Sequence, residues 1–130
     1  MPQDQMMERA VEGFLDCLNA HDWDALAAFL APRFVRVGGQ ADVTVFSPDE
    51  YVRWVKEILL GVTTYGKTVR HIAYTADGRS AYADLIEFGG RRDGTRNESA
   101  AVYAFSLDDH GRIARMALYQ MPSVPDDAAV

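Results

Sequence analysis

Three short polar turns, Asp77-Gly78, Asp93-Gly94 and Asp109-His110-Gly111, divide the stretch from Lys67 to Met121 into four runs that alternate apolar and polar residues. Asp-Gly and His-Gly between alternating runs mark β-hairpins, because glycine takes the positive φ that tight turns need. The spacing predicts an antiparallel four-strand meander whose turn lengths decide which side chains meet. In the second run, Asp84 shares a face with Tyr82, Ile86 and Phe88. A carboxylate among large apolar neighbours needs a partner, which makes Asp84 the first candidate for a functional role.

The chain before the meander reads as helical. Met7, Ala10, Val11, Phe14, Leu15 and Leu18 recur at helical spacing. Asp22 is placed to cap a second, shorter helix carrying Leu26, Phe29 and Leu30, which Pro32 ends. Phe34 to Val37 forms a short strand stopped by Gly38-Gly39. Ser47-Pro48-Asp49-Glu50 is a capping box with proline at the first helical position, opening a helix that buries Tyr51, Trp54, Val55 and Ile58. Gly61 and Gly66 bound the passage into the meander. Helices segregated from an antiparallel sheet make the fold class α+β. Residues 1–121 are expected to form a single domain and 122–130 a mobile tail.

Charge and composition narrow the partners. A net charge of −6 argues against nucleic acid and anionic membranes. No run reaches membrane-spanning length. The amino terminus lacks the basic and apolar regions of a signal peptide, and Cys17 is the only cysteine, so a cytoplasmic protein without an intramolecular disulfide is expected. His21, His71 and His110 lack ligand spacing and no glycine-rich phosphate loop is present, so neither a metal nor a cofactor is expected.

The predicted sheet has two unlike faces. One carries Tyr82, Asp84, Ile86 and Phe88, then Ala101, Tyr103 and Phe105, then Met116 and Leu118. The other carries Ala81, Ala83 and Leu85, then Ala100, Val102 and Ala104, then Ala117 and Tyr119. The bulky face suits packing under helices. The small apolar face suits burial against a second copy, so a homodimer through the sheet is expected.

This order of elements, with Asn19-Ala20-His21-Asp22-Trp23-Asp24-Ala25-Leu26 at the first helix junction, resembles the nuclear-transport-factor-2-like superfamily, which includes SnoaL-like polyketide cyclases and ketosteroid isomerases. The resemblance spans Glu8 to Met121. It is sharpest at Asp108-Asp109-His110-Gly111-Arg112-Ile113 with Met116 and Tyr119, which is similar to the last hairpin of ketosteroid isomerases. It implies a cone-shaped fold in which N-terminal helices pack on a curved, mainly antiparallel sheet and enclose an apolar pocket. The isomerase's own residues do not carry over. Its tyrosine falls on Phe14 and its general base near Gly38, while its protonated aspartate falls on Tyr103.

The chemistry expected from the residues themselves centres on Asp84. A two-residue Asp93-Gly94 turn sets it opposite Tyr103, within cross-strand reach. A two-residue turn at Asp77-Gly78 sets His71 beside it, and a three-residue turn sets Arg70 there, the form that Ala76-Asp77-Gly78-Arg79 suits better. Asp84, Tyr103, Arg70 and His71 are the candidate catalytic residues. Phe14, Tyr51, Trp54, Tyr82, Phe105, Met116, Leu118 and Gln120 are the candidate walls for a hydrophobic small molecule. Two functions follow. One is a cofactor-independent enzyme (isomerase, cyclase, dehydratase or hydrolase) working by acid–base chemistry. The other is a non-catalytic ligand-binding dimer.

Overall fold

Residues 3–39 and 43–120 are described by a computed structural model; the expected tail at 122–130 lies outside them. Helix α1 (Gln3–Ala20) leads to α2 (Trp23–Ala28), strand β1 (Leu30–Gly38), the short β2 (Val45–Phe46) and helix α3 (Pro48–Leu59). Four long strands follow: β3 (Val62–Tyr74), β4 (Ser80–Arg91), β5 (Arg96–Leu107) and β6 (Ile113–Gln120). They form one curved, unclosed, mostly antiparallel sheet in the order β2-β1-β6-β5-β4-β3, with β1 running parallel to β6. The fold is α+β, as the pattern of elements predicts.

Local chemistry accounts for the boundaries. Asp22 Oδ1 accepts from Ala25 N at 3.3 Å and caps α2. Ser47 Oγ accepts from Glu50 N at 3.2 Å, with Pro48 opening α3. Pro32 does not sit just beyond a helix. It lies inside β1, in the stretch between Leu30 and Val35 where the ladder to β6 shifts, an irregularity that tolerates a residue without an N–H. Strand β3 also starts earlier than Lys67: residues from Val62 already pair with β4.

The inner face of the sheet and the helices share one core. Met7, Val11, Phe14 and Leu18 of α1 are buried over Leu85, Tyr103, Phe105 and Met116. Phe14 meets Phe105 nearly edge-on at 5.8 Å, and Tyr51 of α3 meets Phe34 of β1 likewise at 5.3 Å. Such contacts add to the burial of the rings themselves.

The turn between β4 and β5 corrects the expected faces. Gly94 N donates to Arg91 O at 3.0 Å with Gly94 at φ 88°, and Arg91 N donates to Thr95 O. The loop is therefore three residues, Arg92-Asp93-Gly94, with glycine in the left-handed position. That one extra residue pairs Ala83 with Tyr103 and Asp84 with Val102. Because side chains alternate along a strand, the slip turns every β4 side chain to the opposite face. Ala81, Ala83 and Leu85 point into the core, while Tyr82, Asp84, Ile86 and Phe88 lie outside with Val102 and Ala104. On β5 and β6, Ala101, Tyr103, Phe105, Met116 and Leu118 face inward as expected.

Candidate functional site

The same slip that expels Asp84 brings Glu87 inward, two residues beyond Leu85 on the core face of β4. Its direct partner on β3 is Lys67, and the two carry an ion pair with Nζ 3.8 Å from Oε1. Tyr103 of β5 donates its hydroxyl hydrogen bond to Glu87 Oε1. Gln120, at the end of β6, donates from Nε2 to Oε2 at 2.5 Å. Ala101, which pairs with both Leu85 and Gln120, is small and fully buried. Four strands thus converge on one carboxylate.

These groups stand at the polar end of a cavity of about 250 Å³. Helix α3 supplies its apolar side with Trp54, Val55, Ile58 and Leu59 beside Tyr51, and Leu118 closes it from β6. Arg36 of β1 and Tyr65 of β3 complete the lining.

Lys67 is held at both ends. Asn19, near the end of α1, accepts from Lys67 N at 2.7 Å and donates to Lys67 O at 3.1 Å. β3 is the edge strand, so this amide supplies partners that no further strand provides. At the other end, Nζ donates to the Tyr65 hydroxyl and lies 4.1 Å from that ring's centre. The lysine side chain is 1% exposed. Burial pulls its ammonium down to about 8, with Arg36 adding to the fall while Glu87 and its hydrogen bond oppose it. Burial, reinforced by Glu87, pushes the Tyr65 phenol well above its ordinary range, so it stays protonated.

Arg36 has a different task. Its Nη1 donates to Gly38 O at 2.8 Å and Val43 O at 3.0 Å, and the guanidinium stacks 4.3 Å from the centre of the Trp54 ring. Burial lowers its pKa, opposed by Tyr51, Glu87 and Tyr65. Nε is buried without a hydrogen-bond partner among the described residues. Glycine is favoured beside it: Gly39 adopts φ +83°, and a Cβ there would stand 2.8 Å from Arg36 Nη2, so the guanidinium would have to shift.

The expected site residues therefore divide. Tyr103, Tyr51, Trp54, Leu118 and Gln120 come together around the cavity. Phe14, Phe105 and Met116 are sealed in the core next to it instead of lining it, because their rings and thioether pack between α1 and the sheet. Tyr82 stands on the outer face, half-exposed. Asp84 pairs with Arg70 at 2.6 Å, but outside, with side chains 42% and 48% exposed. The expected three-residue turn at Asp77-Gly78 does not form: Thr75 N donates to Ser80 O at 2.9 Å across residues 76–79. The ladder takes the register that sets His71 opposite Asp84, while Arg70 reaches the carboxylate through a bulge between Val69 and His71. His71 itself is exposed and lies along a surface groove with Glu8 and Glu12.

Lys67, Glu87, Tyr65 and Arg36 were not singled out from sequence. The available signal was the two-residue alternation Ala81, Ala83, Leu85, Glu87, which ends a small apolar stripe in a charge. No group of three or more His, Cys, Asp and Glu suited to a metal occurs among the described residues. No described helix is long and apolar enough to cross a membrane.

Comparison with known proteins places this geometry in context. Residues 11–116 match the SnoaL-like domain family. A search of curated proteins returns no match. Among solved structures, a candidate polyketide cyclase from Xanthomonas campestris pv. campestris superposes with a TM-score of 0.79 at 19% identity, covering 91% of this chain and 92% of that one. A Mycobacterium tuberculosis protein solved with estradiol-17β-hemisuccinate has a TM-score of 0.78 at 15% identity, with 88% and 92% covered. A LEH-like epoxide hydrolase from M. tuberculosis has a TM-score of 0.77 at 22% identity, with 92% and 86% covered.

Proposed function

This chain belongs to the SnoaL-like domain family, and we propose that it is a cofactor-independent enzyme performing acid–base chemistry on a small hydrophobic substrate, with Glu87 rather than Asp84 as the proton-transferring group. The observation that carries this reading is the placement of the Glu87 carboxylate at the polar end of an apolar cavity, between the Tyr103 hydroxyl and the Lys67 amine. A proton taken from substrate carbon by Glu87 leaves negative charge that Lys67 and Tyr103 are positioned to stabilise. The apolar walls of α3 favour a compound with an aliphatic or aromatic body. Relatives of this fold bear names from polyketide cyclase to epoxide hydrolase, and one binds a steroid ester; those names support a small-molecule pocket without choosing a reaction.

The general test is hydrogen exchange at carbon. Hydrophobic ketones such as 2-tetralone, incubated with the protein in D2O, would exchange their α-protons faster than in buffer, followed by NMR. Glu87→Gln would lower the enzymatic rate by about 10²-fold or more. A panel of ketones that binds without any accelerated exchange removes the catalytic reading. The remaining function would be ligand binding alone, which has one observation in its favour: both Glu87 oxygens already accept hydrogen bonds from within the protein.

The outer face is proposed as the meeting surface of a homodimer. Tyr82 and Tyr119 stand exposed there, with Ala100, Val102 and Ala104 only partly covered between them.

A further inference from the structure

We propose that Lys67 is a nucleophilic amine, and that the cavity captures aldehydes and ketones on apolar frameworks as imines of its Nζ. The inference rests on the reading that a hydrophobic ligand enters this cavity, and it assigns that ligand a carbonyl.

Usage of basic residues sets the lysine apart. The chain has thirteen lysines and arginines, of which only Lys56 and Lys67 are lysines. Lys56 is exposed on α3 and Lys67 is buried. Lysine is almost never fully buried, and a buried ion pair is ordinarily built with arginine, which is more weakly hydrated and binds a carboxylate in two places. A chain that uses arginine nearly everywhere else places its buried lysine where an amine can lose its proton. Arginine could not perform that role.

Geometry then fits the amine to the task. Asn19 fixes the lysine backbone through both its N–H and its carbonyl. Nζ donates to the Tyr65 hydroxyl, and Glu87 Oε1 stands 3.8 Å away. Lys67 lines a cavity with Glu87, Tyr65, Tyr103, Gln120 and the Arg36 guanidinium on its polar walls, and with α3 and Leu118 on its apolar ones. Desolvation in such a site favours the neutral, nucleophilic form.

The reaction balances with these groups alone. Glu87 takes a proton from the Lys67 ammonium. The freed lone pair forms a C–N bond to the carbonyl carbon while the C–O π electrons move to oxygen, and a proton passes from nitrogen to that oxygen to give the carbinolamine. Glu87 returns its proton to the hydroxyl as the C–O bond breaks, water leaves, and the nitrogen lone pair forms the C=N bond. One ammonium and one carbonyl yield one iminium and one water, with Glu87 again a carboxylate facing the cation. An iminium at this position also acidifies the adjacent C–H, the bond that Glu87 is placed to attack.

Reductive trapping tests the proposal. The protein is incubated at pH 8 with 2-naphthaldehyde, reduced with sodium borohydride, and analysed by intact mass and peptide mapping. One adduct is expected on Lys67, heavier than the protein by the aldehyde less one oxygen. It should form faster as pH rises toward the lysine's titration, disappear in Lys67→Met and slow by roughly 10²-fold in Glu87→Gln. The alcohol 2-naphthylmethanol should bind and leave no adduct. If Lys67→Met fails to fold, the map of the unmodified chain decides by itself. Labelling of Lys56 or the amino terminus with Lys67 untouched overturns the proposal, as does the absence of any adduct. In either case, ketone exchange that persists and depends on Glu87 leaves the general acid–base reading standing.

Discussion

Lys67 and Glu87 are direct cross-strand partners, with Nζ 3.8 Å from Oε1 and both side chains on the cavity wall. Burial of the lysine, which outweighs this pairing, makes stability depend on pH. The Lys67 ammonium titrates at about 8 in the fold against 10.5 when unfolded, so between those values the unfolded chain binds more protons. Stability therefore rises with pH across that window, by up to about 3 kcal/mol from this group. The raised Tyr51 and Tyr65 phenols act the other way above about pH 10, where the unfolded tyrosines ionise first. Urea unfolding at pH 7.5 and 9.5 should show the native chain gaining stability relative to Lys67→Met. Equal pH slopes for the two proteins would mean that the lysine is not held in the depressed state.

Asp84→Asn gives the contrasting case. The Asp84–Arg70 pair is short, at 2.6 Å, but sits on the outer face with both side chains more than two-fifths exposed. Exposed pairs contribute only about 0–1 kcal/mol. The substitution should leave the denaturation midpoint nearly unchanged and α-proton exchange of 2-tetralone untouched. A loss of exchange comparable to that in Glu87→Gln would return the acid–base role to Asp84.

How much was legible before the structure can be read from this pair of acids. The meander, the capped α3 and the helix stripe of Phe14 follow from turn chemistry and periodicity, which are local. The inward faces of β5 and β6, and the cavity position of Tyr103 and Gln120, follow from the same alternation. Asp84 faces outward and Glu87 inward, against the expected alternation, because Asp93-Gly94 fits a two-residue and a three-residue loop alike and a single residue inverts a strand. Lys67 and Arg36 were hidden for another reason: nothing in β3 or β1 alone marks them as buried, since their surroundings are assembled from α1, α3 and the whole sheet.

Asn19→Ala tests the clamp on the edge strand. It removes one donor and one acceptor from the Lys67 backbone. Two such hydrogen bonds contribute about 1–3 kcal/mol together, to be read as a lower urea midpoint at constant m-value. A change below about 0.5 kcal/mol would mean water replaces the amide freely. Because Asn19 acts through the lysine, its substitution should also shift the pH dependence of borohydride trapping, which a purely structural loss would leave in place.

Gly38→Ala probes the floor beneath Arg36. Gly38 adopts φ +93°, and an added Cβ would meet the Leu118 carbonyl oxygen at 2.4 Å. Backbone cannot step aside as a side-chain tip can, and the left-handed conformation itself is strained for alanine. A cost above about 2 kcal/mol is expected. Since Gly38 pairs with Leu118 on β6 and its carbonyl accepts from Arg36, the damage should spread to the cavity as weakened binding of hydrophobic ketones. Full stability and unaltered binding would show that β1 and β6 can separate there without cost.

The outer face yields the last prediction. Tyr119 is 60% exposed and Tyr82 49% exposed, on a face they share with the partly covered Val102 and Ala104 and with the exposed Asp84–Arg70 pair. A dimer that buries this face would sediment at about twice the chain's 14.4 kDa. Tyr119→Arg would set a charge against its own copy across a two-fold axis, where the same patch meets itself. The variant should run at single-chain mass while keeping its ketone exchange, because Tyr119 points away from the cavity lined by Leu118 and Gln120. Single-chain mass for the unmodified protein at micromolar concentration removes the dimer. Loss of exchange in a folded monomeric Tyr119→Arg would instead make assembly a condition for the site to work.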